Sequence, residues 1–148
     1  RFKYIDRIPT IIDIAGFTRI SEHSIKTAID LSGLDIEEWI AVKEYNEHNH
    51  PLIHIFVEIK ASSLVIRGLG KEILKEHLTV YFKYVDHDYK DLKRILGMDP
   101  LEITILKSGT FEEYKRQTGK RLRHINPSKY EIKELLSIEK QHFSINSV

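Results

Sequence analysis

The densest group of side chains that could do chemistry lies between residues 114 and 124, where the chain reads "YKRQTGKRLRH". Lysines and arginines at this density can hold phosphate through charge-assisted hydrogen bonds, and an arginine can offer two donors at once. The cations that surround Gly119 are Lys115, Arg116, Lys120, Arg121 and Arg123. Spacing alone favours a plainer interpretation, in which a helix C-terminus attracts cations through its dipole and a solvated loop follows.

Histidines form a second group with possible chemistry. His48, His50 and His54 have the same parity along the chain and could in principle converge on a metal ion. The polar turn that contains Asn49 and Pro51 breaks their register, and no carboxylate or cysteine completes a known ligand pattern. We therefore assign no residue to a metal.

Two further patterns stop short of a catalytic motif. The stretch "GLGKE" (68–72) lacks the glycine spacing of a phosphate-binding Walker loop and the Ser or Thr after its lysine, so its glycines predict the lead-in to a helix. Asp86 and Asp88 are close in sequence, but Asp88 is as well suited to capping the next helix as to acting as a base. Residue spacing alone does not establish catalysis.

Composition bounds the class of protein. The chain has 148 residues, of which 41% are hydrophobic and 30% charged, as expected for one compact domain. The net charge of +1 gives no overall attraction for nucleic acid or an anionic membrane. The absence of cysteine is compatible with a reducing cytoplasm, and apolar runs are far shorter than the roughly 20 residues that span a bilayer. We predict a soluble, cytoplasmic domain.

The start of the chain is unusual for a complete protein. The first residue is Arg1, the only methionine is Met98, and "FKYI" (2–5) already has the composition of a strand. We therefore expect residues 1–148 to be a single domain cut from a longer chain.

Local patterns predict the elements of the first half. The β-branched run "PTIIDIAG" (9–16) predicts a strand, and a helix over 21–33 is expected to follow it directly, with Ser21 as N-cap and Gly33 as its stop. Two strands are predicted within 37–60, joined by a polar turn. In the second of them, Ile53, Ile55, Val57 and Ile59 share one face.

The second half continues the alternation of helix and strand. An apolar stripe predicts a helix over 68–85, and "LEITILK" (101–107) alternates as a strand. Thr110 with Glu113, and Ser128 with Glu131, have the spacing of capping boxes that open two more helices. The expected class is α+β, a mixed β-sheet flanked by helices.

Two segments carry a family resemblance. "DRIPTIIDIAGF" (6–17) resembles the start of the small C-terminal domain of adenylate-forming enzymes, in which an arginine, a hinge residue, an apolar strand and a Gly-aromatic turn follow one another. "DPLEITILKSGTFEEY" (99–114), followed by a basic loop and Asn-Pro, is similar to the plant auxin-responsive acyl-acid amido synthetases, the Gretchen Hagen three family, and their microbial relatives. The matching segments occur in the same order over nearly the whole chain.

The resemblance implies an activity. Such enzymes use ATP with Mg²⁺ to convert a carboxylic acid to an acyl-adenylate, then transfer the acyl group to an amine, such as an amino acid, or to a thiol. A large N-terminal domain binds most of the nucleotide and the acid, and the small domain rotates as a lid between the two steps. The present chain would be that lid, inactive alone and partnered by its own N-terminal domain.

The resemblance also implies roles for individual residues. Arg7 falls on the motif arginine and, with Arg19, is a candidate to contact the nucleotide; Ile8, Pro9 and Thr10 are the candidate hinge. Ile125 occupies the position of a lysine that reaches the adenylation site in the plant enzymes. The cations that could replace this lysine are Lys120, Arg121, Arg123 and Lys129.

A non-catalytic module is the alternative class, either a small-molecule sensor or an RNA-binding α+β domain. RNA recognition would favour exposed aromatic side chains on a sheet face beside a basic stripe. Phe56, Tyr81 and Phe82 instead lie on stripes that predict core positions, so nucleic acid is not an expected partner.

Overall fold

The structure is a computed structural model that describes residues 11–14, 18–59, 67–85, 89 and 100–146. The elements over this part of the chain are β1 (Ile11–Ile14), β2 (Thr18–Ser21), α1 (Glu22–Leu31), β3 (Ile36–Tyr45), β4 (Pro51–Ile59), α2 (Arg67–Val85), β5 (Leu101–Leu106), α3 (Thr110–Thr118) and α4 (Lys129–Asn146). The strand expected over 2–5, the pair Asp86 and Asp88, and the turn at Gly16 and Phe17 lie outside the described residues.

A three-stranded sheet in the order β3-β4-β5 is the centre of the fold. β3 and β4 are antiparallel, and the turn between them has Asn49 in the left-handed region at φ 64°. β4 and β5 are parallel, with α2 between them in the sequence. The predicted α+β class with a mixed sheet is confirmed.

Each face of the sheet is covered by a pair of helices. Ile53, Ile55 and Val57 of β4 pack in one buried cluster with side chains of α1 and α2, namely Ile25, Ala28, Ile29, Leu74, Leu78 and Phe82. Phe56 faces the other way and joins a cluster with Ile40 and Val42 of β3 and with Tyr114, Ile132, Leu135 and Ile138 of α3 and α4. The alternation predicted for β4 is confirmed, and the sheet is the middle of three layers.

A hairpin precedes the first helix. The sequence predicted that α1 would follow the first strand directly, and this was wrong, because β2 pairs antiparallel with β1. Ile12 and Ile20 are opposite one another in the hairpin and both are fully buried, so burial of these side chains favours the second strand. Ser21 is the N-cap of α1 as predicted, since its side chain accepts the N–H of Ser24 at 3.1 Å.

The remaining helices follow their local patterns with one difference. Leu74, Leu78 and Phe82 form the buried stripe of α2, whereas the predicted lead-in at 68–70 already lies inside that helix. The capping box of α4 is confirmed: Ser128 N–H donates to the Glu131 carboxylate, and Glu131 N–H to the Ser128 hydroxyl. Within the described part of the chain, no helix combines the length and apolarity needed to cross a membrane.

Leu135 and Leu136 offer a matched test of the layer formed by α4. Leu135 is 0% exposed and its neighbour Leu136 is 36% exposed on the same helix. We expect Leu135→Ala to lower the free energy of unfolding by about 2–5 kcal/mol, because it leaves a cavity under the sheet. Leu136→Ala, with the same change in helix propensity, should cost about 1 kcal/mol or less. Urea unfolding of both variants measures the difference; equal losses would contradict the layer assignment.

Candidate functional site

The basic segment does not end as a solvated loop but docks on the edge of the sheet. Helix α3 stops at Gly119, whose φ of 74° and N–H to the Lys115 carbonyl at 2.8 Å form a left-handed C-cap. Beyond it, Ala41 N–H donates to the His124 carbonyl at 2.7 Å, and Asn126 N–H donates to the Ala41 carbonyl at 2.8 Å. We call residues 119–126 the basic loop, which extends the sheet beside β3.

Ile125 is fixed within the core at this edge. It forms the β-bridge with Ala41, is 1% exposed, and belongs to the cluster that contains Trp39. A lysine ammonium at this position would have to be buried without a charge partner, which is unfavourable. Ile125 therefore has a packing role at this edge of the sheet.

A cleft of about 650 Å³ lies between the end of β4, the start of α3 and the basic loop. Its charged lining residues are Glu37, Glu38, Glu58, Glu112, Lys115, Lys120 and Arg121. Arg123 is exposed and Lys129 begins α4, and neither lines this cleft. The structure thus brings two of the four predicted cations to one cleft.

Those two cations differ in their partners. Arg121 donates to the Glu38 carboxylate at 3.0 Å, so its charge is already balanced within the domain. In the part of the chain that the structure describes, the Lys120 ammonium has no ion pair, and the side chain is exposed. Of the two exposed lysines that line the cleft, Lys115 belongs to α3 and Lys120 to the basic loop, so Lys120 is the one that the loop can present to a partner outside this domain.

Glu58 closes the floor of the cleft by capping α3. Glu58 is only 3% exposed, and its carboxylate accepts Gly109 N–H at 2.8 Å and Phe111 N–H at 2.9 Å. Burial raises the pKa of Glu58 above its usual value, although these two backbone bonds act in the opposite direction. A distant carboxylate thus satisfies the first amides of the helix.

The capping box predicted at Thr110 is wrong. Gly109 is the N-cap, at φ 93°, and the Thr110 hydroxyl donates to the Lys107 carbonyl at 2.6 Å instead of accepting an amide. Glu113 bonds to Arg116 and Gln117 on its own helix. Sequence reasoning missed Glu58 because it lies 51 residues before Gly109, far beyond any local capping pattern.

A second charged group fixes the other end of the basic loop. The two ring nitrogens of His124 lie 3.1 Å from a Glu22 oxygen and 2.9 Å from a Glu38 oxygen, and the ring stacks on Trp39 with centroids 4.3 Å apart. The bond with Glu38 raises the pKa of His124 above its usual value, although burial of the ring acts in the opposite direction. Burial would raise the pKa of Glu38, but bonds from His124, the Trp39 amide and Arg121 hold it below its usual value. No local sequence pattern predicted this group, because its members are far apart along the chain.

The other predicted site residues are less informative. Arg7 and the hinge candidates Ile8, Pro9 and Thr10 lie outside the described residues, and Arg19 lies on β2 opposite Asp13. His54 bonds to Glu44 at 2.8 Å and to Thr104 at 2.6 Å, away from the turn histidines. Over the described ranges, no three His, Cys, Asp or Glu residues form a group that could hold a metal ion.

Comparisons with known proteins find similarity among solved structures. No protein-family model and no curated protein matches the chain. The chain is similar to the crystal structure of a 2-hydroxyisobutyryl-CoA ligase in the postadenylation state in complex with R3-HIB-AMP, with 15% identity and a TM-score of 0.49 over 91% of this chain. The matched region is 25% of that ligase. No residue role is transferred from it at this identity and score.

Glu58 can be tested as the cap of α3. Glu58→Ala leaves the amides of Gly109 and Phe111 without their acceptor, and we expect it to lower the free energy of unfolding by about 1–3 kcal/mol. Amide hydrogen exchange should accelerate first in α3. Glu102→Ala, at an exposed position of β5, is the control and should change stability by about 0.5 kcal/mol or less. Unchanged exchange in α3 after Glu58→Ala would exclude the capping role.

Proposed function

We propose that the chain is the mobile C-terminal domain of an ATP-dependent, adenylate-forming ligase. The resemblance of 6–17 and 99–114 to such domains motivates the proposal. The observation that carries it is the basic loop, which is pinned to β3 by its backbone while the exposed Lys120 lines a charged cleft. A lid that delivers a cation to another domain needs this combination of a fixed backbone and an uncommitted side chain.

The proposed chemistry has two steps. A carboxylate oxygen attacks the α-phosphorus of ATP, the bond to the bridging oxygen breaks, and pyrophosphate leaves. An amine or a thiol then attacks the acyl carbon, and AMP leaves with the electron pair of the anhydride bond. In the first step Lys120 would stabilise the charge that develops on the transferring phosphate. ATP and Mg²⁺ would be bound mainly by a large N-terminal domain.

The layered core supports a rigid lid. β4 packs against helices on both of its faces, so the sheet and its helices have to move as one body. The hinge would then be confined to Ile8, Pro9 and Thr10, ahead of β1. In this proposal Arg7 and Arg19 contact the nucleotide, and the partner of the lid is its own N-terminal domain.

The narrower class is an acyl-acid amido synthetase, with an amino acid as the acceptor. Its support is the resemblance of the segments "PLEI" and "GTF", which occur in the order seen in that family. The alternative within the same proposal is a ligase that transfers the acyl group to a thiol and forms a thioester. An RNA-binding module is disfavoured, because Phe56 and Phe82 are buried and cannot stack on bases.

Exchange of pyrophosphate into ATP tests the first step. We expect the full-length protein to catalyse acid-dependent ATP–pyrophosphate exchange for a member of a panel of carboxylic acids, and residues 1–148 alone to be inactive. Lys120→Ala should lower the exchange rate by about 10²-fold, since it removes a charge that acts in the transition state. Release of AMP with an amino acid, but not with coenzyme A, would establish the narrower class.

Lys133→Ala is the matched control for Lys120. It removes the same charge from an exposed position on α4 that does not line the cleft, so exchange should be unchanged. A full-length protein without exchange for any acid would overturn the ligase proposal. Equal activity of Lys120→Ala and the unmodified protein would remove Lys120 from the mechanism.

A further inference from the structure

His124 connects three parts of the chain that are distant in sequence. One ring nitrogen reaches Glu22, the first residue of α1, and the other reaches Glu38 on β3, while the ring itself belongs to the basic loop. We propose that His124 is a positioning residue which, as an imidazolium, clamps the basic loop to α1 and β3 and so sets where Lys120 stands in the cleft. The catalytic part of this inference rests on the proposed function; the clamp itself does not.

The clamp needs both protons of the ring. A neutral imidazole has one N–H donor, so it can donate to Glu22 or to Glu38 but not to both. The nitrogen without a proton would then present its lone pair to a carboxylate oxygen, which is repulsive. Protonation therefore decides whether α1 and β3 are joined through the loop, and the distances of 3.1 and 2.9 Å are those of two formed bonds.

The charges around the ring favour the imidazolium. Glu22 and Glu38 face it directly, and Arg121 shares the second oxygen of Glu38. Two carboxylates are thus balanced by two cations when His124 is protonated. A small cleft beside the ring is also lined by Lys26, Asp30 and Glu37. Lys26 and Asp30 pair with one another at 3.1 Å, so they add little net field.

Trp39 holds the ring in the plane that serves both carboxylates. It is 5% exposed, and its indole lies 4.3 Å from the imidazole with 27° between the planes. An imidazolium over the face of an indole is stabilised further by the quadrupole of the indole. The side chain is fixed on one face by stacking and at both nitrogens by carboxylates.

The clamp acts on Lys120 through the chain itself. Hydrogen bonds between Ala41 and residues 124 and 126 fix the second half of the basic loop through its backbone. In the first half, Gly119 and Lys120 bond to the end of α3 through their N–H groups, and Arg121 is held to β3 through the Glu38 carboxylate, where Arg121 takes one oxygen and His124 the other. Losing His124 from that carboxylate loosens the segment that carries Lys120.

The pKa shifts set the pH range of the clamp. The pKa of His124 is raised, so its contribution is complete below the unfolded value of 6.5 and is lost as pH rises through the folded value. The pKa of Glu38 is lowered, so its contribution is present above 4.5 and is lost as pH falls through the folded value. The clamp is therefore complete between pH 4.5 and 6.5. It is lost at higher pH, when His124 loses its proton, and at lower pH, when Glu38 gains one.

The experiment compares His124→Gln and His124→Arg in the full-length protein. Gln keeps one hydrogen bond and no charge, whereas Arg keeps the charge at every pH and can stack on Trp39. Below the pKa of His124 we expect Gln to raise amide exchange in 119–124 and to lower ATP–pyrophosphate exchange by about tenfold. The difference between His124→Gln and the unmodified protein should shrink as pH rises. His124→Arg should restore amide protection of the loop, and its ATP–pyrophosphate exchange should depend less on pH.

The controls separate the possible failures. His77→Gln, at an exposed position on α2, should leave the loop protection and the pH profile unchanged. A full-length protein with no pyrophosphate exchange overturns the proposed function but leaves the amide exchange of 119–124 as a test of the clamp. Loop protection in His124→Gln equal to that of the unmodified protein at every pH overturns the clamp. If His124→Gln lowers amide protection throughout the protein, the His124→Arg variant decides the question. Failure of His124→Arg to restore amide protection in 119–124 would overturn the clamp.

Discussion

The burial of both faces of β4 is the constraint on which the rest of the fold depends. Ile53, Ile55 and Val57 need apolar cover on one side and Phe56 needs it on the other, so one strand requires two separate helical layers. Its parallel neighbour β5 and antiparallel neighbour β3 satisfy its backbone groups from both edges. Every helix in the described part of the chain follows from covering this sheet.

The same strand delivers a carboxylate to the charged cleft. Alternation along β4 puts Glu58 on the face of Phe56, where α3 begins, and there the carboxylate finds two free helix amides. Burying a charge costs free energy: burial raises the pKa of Glu58, and the two amide bonds act to lower it. The gain is a fixed orientation of α3, and hence of the basic loop that follows it.

Charge pairing separates the roles of the basic residues. Arg116 pairs with Glu113 within α3, whereas Arg121 pairs with Glu38 and so joins the basic loop to β3. Lys120 lines the same cleft with its side chain exposed. A cluster that looks uniform in sequence thus contains residues that build a loop and a residue that the loop presents.

Local sequence determined those features whose partners lie within a few residues. The alternation of β4, the buried stripe of α2, the Ser21 cap and the reciprocal bonds of Ser128 and Glu131 are all set by spacings of two to four residues. These spacings match the periods of strand and helix, and they were readable in advance. The sequence did not predict β2, because its pairing with β1 and the burial of Ile20 are not local patterns.

Tertiary structure alone decided the site. Glu58 caps a helix 51 residues away, and His124 bonds to carboxylates 102 and 86 residues away, so no local period relates them. Ile125 carries no special pattern in sequence, and only its burial in the cluster that contains Trp39, beside its bridge to Ala41, shows that it packs in the core. Charge identities were written in the sequence; which of the described charges meet depended on how the loop docks against β3.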